Sequence, residues 1–149
     1  MSDSEIEQFV ASNRMGTLAT TNLEGKPTLT TIWYAVSDGD LWFEAATTSQ
    51  LIFDLRRDPR ASVLVKDGLT YDTLRGVALE GVAELVHDPE TGSRIAAAIA
   101  ARDPQEARRD AEATDNNVVV QLVADRTRSW DHRKLGLPVM PLSGTATGP

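Results

Sequence analysis

The segment LWFEAATTSQLIFDLRRDPRASVLV, residues 41–65, decides how the fold of this chain is interpreted. Two runs typical of β-strands, Leu41 to Ala45 and Ala61 to Lys66, enclose a polar turn and a short helix. The helix is predicted from Ser49 to Arg57, because Asp58-Pro59 follows and proline cannot continue a helix. The segment therefore predicts two strands of a meander with a helix inserted at their connection.

A hairpin is predicted before this segment. Arg14 to Thr21 and Pro27 to Val36 have strand-like composition, and Asn22 to Gly25 between them is a typical turn. Ser37 to Asp40 is a second turn, which leads directly into the strand at Leu41. The first half of the chain therefore predicts three strands that follow one another through short turns.

The second half of the chain contains the longest predicted strand. Leu74 to His87 alternates between apolar and polar residues, and Gly76 and Gly81 predict bulges or close approaches of the backbone. Asn117 to Val123 is a last strand that runs on toward Trp130. Six antiparallel strands without a β-α-β crossover predict a mainly β fold, a six-stranded antiparallel β-barrel with peripheral helices.

Helices are predicted near both ends of the chain. Ser4 with Glu7 three residues later has the spacing of a capping box for a short first helix. The alanine-rich stretch Glu90 to Ala113 is predicted to be helical, with an interruption at a proline. We therefore interpret residues 1–136 as a single domain and residues 137–149, rich in Pro, Ser, Gly and Thr, as a flexible C-terminal tail.

Composition limits the classes of function. The chain has 149 residues and a net charge of −7, and 41% of its residues are hydrophobic, which is typical of one globular domain and unfavourable for a general nucleic-acid binder. It has no cysteine, which excludes disulfides and thiolate metal sites, and its two histidines, His87 and His132, stand far apart without ligand spacing. The acidic N-terminus and the lack of a long apolar run predict a cytoplasmic protein with no membrane partner.

The turn before the short helix is a candidate anion site. Thr47, Thr48, Ser49 and Gln50 offer side-chain donors where the helix presents unpaired backbone N–H groups and the positive end of its dipole. Phosphate is the anion that most often binds at such a helix terminus. The sequence therefore predicts a phosphate-bearing ligand at this turn.

The order of these elements resembles the pyridoxamine 5′-phosphate oxidase-like FMN-binding split barrels. The pieces that carry the resemblance are GTLATTNLEGKPTLTTIWY (16–34), DLRRDPRASVLV (54–65), LRGVALEGVAEL (74–85) and SWDHRKLGLP (129–138), the last similar to an actinobacterial branch. The resemblance implies a split β-barrel that forms a homodimer and binds FMN or the deazaflavin coenzyme F420 in grooves between the subunits. It also implies an oxidoreductase that passes a hydride to a small unsaturated or quinone-like substrate.

The resemblance also implies which residues face the cofactor. The strand around Thr30, Thr31 and Trp33 would line the flavin ring, the turn before the short helix would meet the phosphate, and the start of the long strand would lie near either group. The implied cofactor-binding residues, with the helix arginines as further candidates, are Thr30, Thr31, Trp33, Thr47, Thr48, Ser49, Gln50, Arg56, Arg75 and Gly76. No catalytic residue and no metal ligand is assigned.

Several of these residues also have an ordinary structural interpretation, which does not involve a cofactor. Trp33 is expected as a core or interface aromatic, and Arg56 as a cation that complements the end of its helix. Members of the resembled family carry a lysine where this chain has Leu51, so the usual cationic contact to the phosphate is missing. The alternative function is therefore a non-catalytic split barrel that binds a flavin, haem or apolar ligand without turnover.

Overall fold

The computed structural model describes residues 1–102 and 116–136. The elements are α1 (Asp3–Ser12), β1 (Met15–Thr21), β2 (Pro27–Ser37), β3 (Asp40–Ala46), α2 (Gln50–Arg57), β4 (Arg60–Asp67), β5 (Arg75–Val86), α3 (Pro89–Arg102) and β6 (Asn117–Asp131), with short 3-10 turns at Tyr71–Thr73 and His132–Leu135. The predicted tail at 137–149 and the helix predicted beyond residue 102 lie outside the described residues.

The six strands close into a barrel in the order β1-β2-β3-β6-β5-β4, and every pairing is antiparallel. The predicted mainly β fold, a six-stranded antiparallel barrel with helices at its periphery, is confirmed. The strands begin and end within about two residues of the predicted bounds, and β6 continues to Asp131 as the sequence indicated.

Two helices close the two ends of the barrel. Because β1 and β4 are antiparallel neighbours, their first residues lie at opposite ends, and α1 precedes β1 whereas α2 precedes β4. α1 contributes Phe9 and Val10 to the apolar interior, and α2 contributes Ile52 and Leu55. Each fully buried side chain of this kind stabilises the fold by about 1.5–3 kcal/mol. The largest fully buried side chains of the interior are Tyr34, Phe43, Leu18, Ile52, Leu55 and Leu122.

A buried tyrosine joins α1 to the barrel. The Tyr34 hydroxyl donates a hydrogen bond of 2.6 Å to the carbonyl oxygen of Val10 near the end of α1. Burial raises the pKa of Tyr34 to about 12, and the nearby Arg102 guanidinium opposes that rise. The hydroxyl therefore stays protonated at neutral pH and remains a donor.

α3 packs on the outside of the barrel rather than at an end. Its Ile95 and Ile99 form a second apolar cluster with Trp42 and Val119 on β3 and β6. Trp33 is half-buried at the edge of this cluster, so the expectation of a packing role for this residue agrees with its position.

Two glycines of β5 occupy positions where a side chain has no room. The register of β5 and β6 shifts between Glu80 and Gly81, which confirms the predicted bulge. A Cβ atom on Gly81 would overlap the carbonyl oxygen of Val123, and a Cβ atom on Gly76 would overlap the indole ring of Trp130. Both predicted close approaches are therefore present, and both involve β6.

The start of α1 differs from the prediction by two residues. Ser2, not Ser4, is the N-cap, and it accepts from the backbone N–H of Glu5 at 3.2 Å while the Glu5 carboxylate accepts from the N–H of Ser2 at 2.6 Å. The sequence contains two overlapping capping-box patterns, Ser2 to Glu5 and Ser4 to Glu7. The earlier pattern forms because it adds two helical residues, the first of which, Asp3, complements the helix dipole.

Candidate functional site

The turn before α2 is held together by its own hydrogen bonds. The backbone N–H of Thr47 donates to the carbonyl oxygen of Asn116 at 2.8 Å, which fixes the turn to the start of β6. The Ser49 hydroxyl donates to the carbonyl oxygen of Ala46 at 2.7 Å and accepts from the N–H of Ile52, so Ser49 is the N-cap of α2. Its hydroxyl is therefore occupied by a structural role.

Gln50 also has a partner inside the chain. Its side-chain amide donates to the Asp54 carboxylate at 2.9 Å, and the side chain of Asp54 is almost fully buried. The Arg57 guanidinium lies 3.8 Å from the same carboxylate and donates to the carbonyl oxygen of Thr21. A buried carboxylate needs such partners, because an unpaired charge in the interior costs several kcal/mol, on the order of 3–5 kcal/mol.

The donors left for a ligand at this turn are uncharged. Among the described residues, the hydroxyls of Thr47 and Thr48 and the guanidinium of Arg56 have no hydrogen-bond or ion-pair partner. Arg56 is exposed in the last turn of α2, away from the helix N-terminus. Leu51, where the resemblance implied a lysine, is half-buried and packs against the barrel interior. The residues present thus fit a phosphate through hydroxyls and the helix N-terminus.

A second surface of interest is the part of the outer barrel wall that α3 leaves uncovered. Strand register aligns outward-facing residues into two rows across β2, β1, β4, β5 and β6, and we call these rows the open face. The first row is Thr31, Thr17, Leu64, Ala78 and Arg128; the second is Leu29, Ala19, Ser62, Glu80 and Arg126.

The open face is apolar and hydroxyl-bearing at one side and charged at the other. Leu29, the third residue of β2, is 71% exposed. At the opposite side, the Glu80 carboxylate accepts a hydrogen bond of 3.2 Å from Arg128 Nε and lies 3.9 Å from the Arg126 guanidinium. Such a surface can receive a flat, partly apolar molecule or a second protein surface.

The two candidate threonines of β2 lie on different faces. Thr31 is exposed on the open face, whereas Thr30 alternates with Ile32 and Tyr34 on the interior side and is half-buried. A ligand on the open face can therefore meet the hydroxyl of Thr31 but only the backbone of Thr30. Trp33 lies on the outer side as well, at the boundary between the open face and the cluster under α3.

The first residues of β5 carry the other predicted contacts. Arg75 donates to the Asp67 carboxylate at 2.6 Å, and its guanidinium lies 5.0 Å from the centre of the Phe9 ring. The indole ring of Trp130 covers Gly76 on the outer side. The space next to Gly76 is thus filled by the chain's own tryptophan, which is the group that an approaching ligand would meet.

The predicted residues outside β2 form two groups at opposite ends of the barrel. Arg75 begins β5, and Val86 at the end of β5 pairs with Val119, close to Asn116 and the Thr47 turn. At about 3.3 Å per residue, the eleven steps along β5 separate the two groups by about 35 Å. One protomer therefore cannot bring Arg75 to an anion bound at the Thr47 turn.

The groove beside Arg75 contains further charged residues that the sequence reasoning did not place there. It is lined by α1 and by Arg75, Asp131 and Arg133. The Asp131 carboxylate accepts from two nitrogens of Arg133 at 2.9 and 2.6 Å. The motif SWDHRKLG was noted for its resemblance, but only the register between β5 and β6 shows that Asp131 lies opposite Arg75.

The contribution of the Asp131–Arg133 ion pair to stability depends on pH. The hydrogen bonds from Arg133 lower the pKa of Asp131 from 3.8 to about 2, against the opposing effect of burial. Because the folded pKa lies below the unfolded value, the pair stabilises the fold fully above about pH 4, and this contribution is lost as the pH falls through about 2. We expect Arg133→Gln to move the titration of Asp131 upward toward pH 4, measured by NMR of its carboxyl carbon.

A second arginine variant serves as the control for that titration. Arg126→Gln removes an exposed guanidinium from β6, the strand that ends at Asp131. This guanidinium lies 3.9 Å from Glu80 and is not bonded to Asp131. The variant is expected to leave the Asp131 titration unchanged. An equal upward shift in both variants would show that net charge, and not the Arg133 contact, sets the pKa of Asp131.

The described ranges, 1–102 and 116–136, contain neither a cluster of metal ligands nor a helix suited to span a membrane. Within them, no group of three or more His, Asp or Glu side chains is arranged to hold a metal ion. None of the helices there combines the length and the apolar character that crossing a bilayer would require.

Comparison with known proteins adds to this geometry. The model of a family described as pyridoxamine 5′-phosphate oxidase matches residues 2–131. The crystal structure of a conserved hypothetical protein from Mycobacterium tuberculosis is 50% identical, with a TM-score of 0.87, and the match covers 97% of this chain and 94% of that chain. This likeness extends over nearly the whole of both chains.

Two structures with lower identity share the fold. One is an FAD-binding protein from Mesorhizobium loti, with 20% identity, a TM-score of 0.69, and coverage of 87% of this chain and 92% of that chain. The other is a haem-binding protein from Mycobacterium smegmatis, with 23% identity, a TM-score of 0.68, and coverage of 86% and 57%. Proteins with this barrel thus include binders of flavin and of haem.

Proposed function

The chain belongs to the pyridoxamine 5′-phosphate oxidase family, and from this premise we propose that it binds a phosphorylated flavin and acts as an oxidoreductase. The bound flavin supplies hydride transfer to and from its ring. FMN is the first candidate, and the deazaflavin coenzyme F420 is the second. The substrate we propose is a small unsaturated or quinone-like molecule.

The observation that carries the proposal is the placement of two features at one end of the barrel. The open face offers Thr31 and Leu29 to a flat ring, and the Thr47 turn lies at the end of the barrel where β2 begins and β3 ends. The unpartnered hydroxyls of Thr47 and Thr48 would hold the phosphate together with the N-terminus of α2. The chain's role would then be to place the flavin and to donate hydrogen bonds to it.

A homodimer would complete this site. A two-fold axis through the open face would cover Leu29 and would bring the partner's β5 and β6 toward the flavin. Only a second protomer can supply Arg75 to the same site as the Thr47 turn, because the two lie about 35 Å apart along one barrel. The Arg75 guanidinium would then add the positive charge that Leu51 does not provide.

One observation favours the alternative, a barrel that binds a ligand without turnover. Leu51 is apolar, and Gln50 and Ser49 are bonded within the chain, so the charge-assisted contacts of a tight flavin site are missing from the turn. A lost contact of that type is worth ~1.5–3 kcal/mol, or ~10- to 100-fold in affinity. Haem or another largely apolar molecule would depend less on that contact.

The proposal is tested by titrating the protein with FMN, coenzyme F420 and haem, and by adding the missing charge. We expect FMN to bind, and Leu51→Lys to tighten its Kd by ~10-fold or more, because helical side chains point toward the helix N-terminus and a lysine at this second helical position reaches the turn. Fluorescence of the flavins and absorbance of haem give the dissociation constants, and sedimentation equilibrium gives the oligomeric state.

Phe53→Lys is the matched control. Phe53 is 61% exposed on the same helix, two residues further along, so a lysine there adds the same charge on a different side of α2. It is expected to change the Kd for FMN by less than about twofold, since exposed charges at a distance are screened. Equal effects of both lysines would contradict phosphate binding at the turn, and binding of haem alone would favour the non-catalytic function.

A further inference from the structure

A separate cavity lies between α1 and the interior of the barrel, at the end opposite to the Thr47 turn. Its volume is about 660 Å³, which is within the usual range of small-molecule sites, about 300–1,000 Å³. Its apolar wall comes from helix and strands together and consists of Ile6, Val10, Leu41, Leu79 and Leu122. The cavity therefore reaches the apolar interior from the surface.

The polar side chains around this cavity are mainly acidic. Asp3 and Glu7 line it from α1, one helical turn apart, and Asp40 lines it from the start of β3. Asp40 accepts a hydrogen bond of 2.7 Å from the Gln121 side chain, which fixes its position. Among the described residues that line the cavity, none is a lysine, arginine or histidine.

This combination determines the class of ligand that the cavity can hold. An apolar wall favours a hydrocarbon or aromatic body, because burying it releases water from apolar surface on both sides. Carboxylates without a neighbouring cation favour a positive charge and disfavour an anion. A phosphorylated flavin, which is an anion, is the wrong ligand for this cavity.

We propose that this cavity binds an organic ammonium ion with an apolar body, an aryl- or alkylamine. The apolar body packs among Leu41, Leu79 and Leu122, and the ammonium group lies at the rim near Asp3 and Glu7. This site is distinct from the proposed flavin site, because it opens beneath α1 and its apolar wall consists of interior-facing side chains rather than those of the open face. The flavin and the amine therefore bind at the same time.

The test uses three probes of the same shape and different charge: 1-naphthylmethylamine, 1-naphthylmethanol and 1-naphthylacetate. Isothermal titration calorimetry on the full chain at fixed salt measures each Kd. We expect the amine to bind at least ~10-fold more tightly than the alcohol, and the carboxylate to bind least, because the rim carboxylates attract only the cation. Saturating FMN is expected to leave the Kd of the amine unchanged.

Variants locate the binding site. Asp3→Asn combined with Glu7→Gln is expected to weaken the amine ~3- to 10-fold and to leave the alcohol unchanged, because only the charge at the rim is removed. Ala124→Phe, which places a ring in the cavity from β6, is expected to abolish binding of both. Val36→Phe fills the cavity from β2 and gives a second test if Ala124→Phe does not fold.

The control variant removes a carboxylate outside the cavity, and the results that would overturn the proposal concern either the charge of the probe or the assembly of the protein. Glu24→Gln removes an exposed carboxylate in the turn between β1 and β2, far from the cavity, and is expected to leave the Kd of the amine unchanged. Equal binding of amine and alcohol, no binding of the amine, or equal weakening by Glu24→Gln would each overturn the proposal. If the protein is a dimer and Ala124→Phe dissociates it, the amine proposal is also overturned, because a second copy of the chain would then occupy the cavity.

Discussion

Gly81→Ala is expected to lower the free energy of unfolding by about 3 kcal/mol or more. The added Cβ would overlap the carbonyl oxygen of Val123 and would lie 2.8 Å from the Cα of Ala124, so backbone atoms, not a flexible side chain, would have to move. The bulge at this position bends β5 and β6 together, and their pairing is the most extensive in the barrel.

Thermal and urea unfolding measure this effect. A loss of about 3 kcal/mol corresponds to a fall in Tm of roughly 6–12 °C for a chain of this size. Gly92→Ala is the control, because Gly92 lies in α3 with open space around it. Alanine there is expected to raise stability by about 0.5–1 kcal/mol, through its better helix propensity. A Gly81→Ala protein as stable as the wild type would show that β5 and β6 do not approach each other closely at the bulge.

Arg102→Ala is expected to lower the free energy of unfolding by about 2–4 kcal/mol, because one guanidinium satisfies three carbonyl groups, two at the end of α1 and one on β2. Its nitrogens donate to the carbonyl oxygen of Ala11 at 2.7 Å, to that of Asn13, and to that of Tyr34 at 3.1 Å. The guanidinium also lies 5.0 Å from the centre of the Tyr34 ring. The end of α3 is thereby joined to the C-terminus of α1, where a cation complements the helix dipole.

Two variants separate the geometry of this contact from its charge. Arg102→Lys keeps the charge but not the planar fork of donors, so we expect it to recover less than half of the lost stability. Arg94→Ala removes an exposed arginine of the same helix, which contacts Ser37 at 2.6 Å and Asp38 at 4.0 Å, and is expected to cost less than about 1 kcal/mol. If urea unfolding showed a larger loss of stability for Arg94→Ala than for Arg102→Ala, the proposed role of Arg102 would be contradicted.

The barrel could be predicted from the sequence because its strands alternate and its turns use residues with distinct backbone preferences. Asp38 and Gly39 both have positive φ in the turn between β2 and β3, a conformation that few other residues adopt. Gly81 was predicted at a bulge or close approach for a different local reason: a glycine inside a strand marks a place where a side chain has no room. These signals are local, so neighbouring residues carry them.

The capping of α1 shows the limit of such local signals. Ser2 to Glu5 and Ser4 to Glu7 have the same spacing, and both patterns start a helix that buries Phe9. The choice between them depends on the two helical residues that the earlier start adds, with Asp3 at the positive end of the helix dipole, and the capping-box spacing alone does not rank the two starts.

The candidate site was predictable in parts and not as a whole. The hydroxyl-rich turn before a helix predicts an anion site at the Thr47 turn and the N-terminus of α2, and the helix is present at that place. That Gln50 donates to the buried Asp54, and that Trp130 covers Gly76, depends on which side chains the fold brings together. No periodic pattern in the sequence predicts either contact.

By itself the sequence determined the strands and the bulge, and it predicted an anion site at the N-terminus of α2, because each of these depends on residue type and short spacing. Only the tertiary structure decided that Arg75 and the Thr47 turn lie at opposite ends of one barrel, and that α1 covers an acidic-rimmed apolar cavity. Both results follow from strand register and barrel closure, which join residues far apart in the chain and which local composition does not encode.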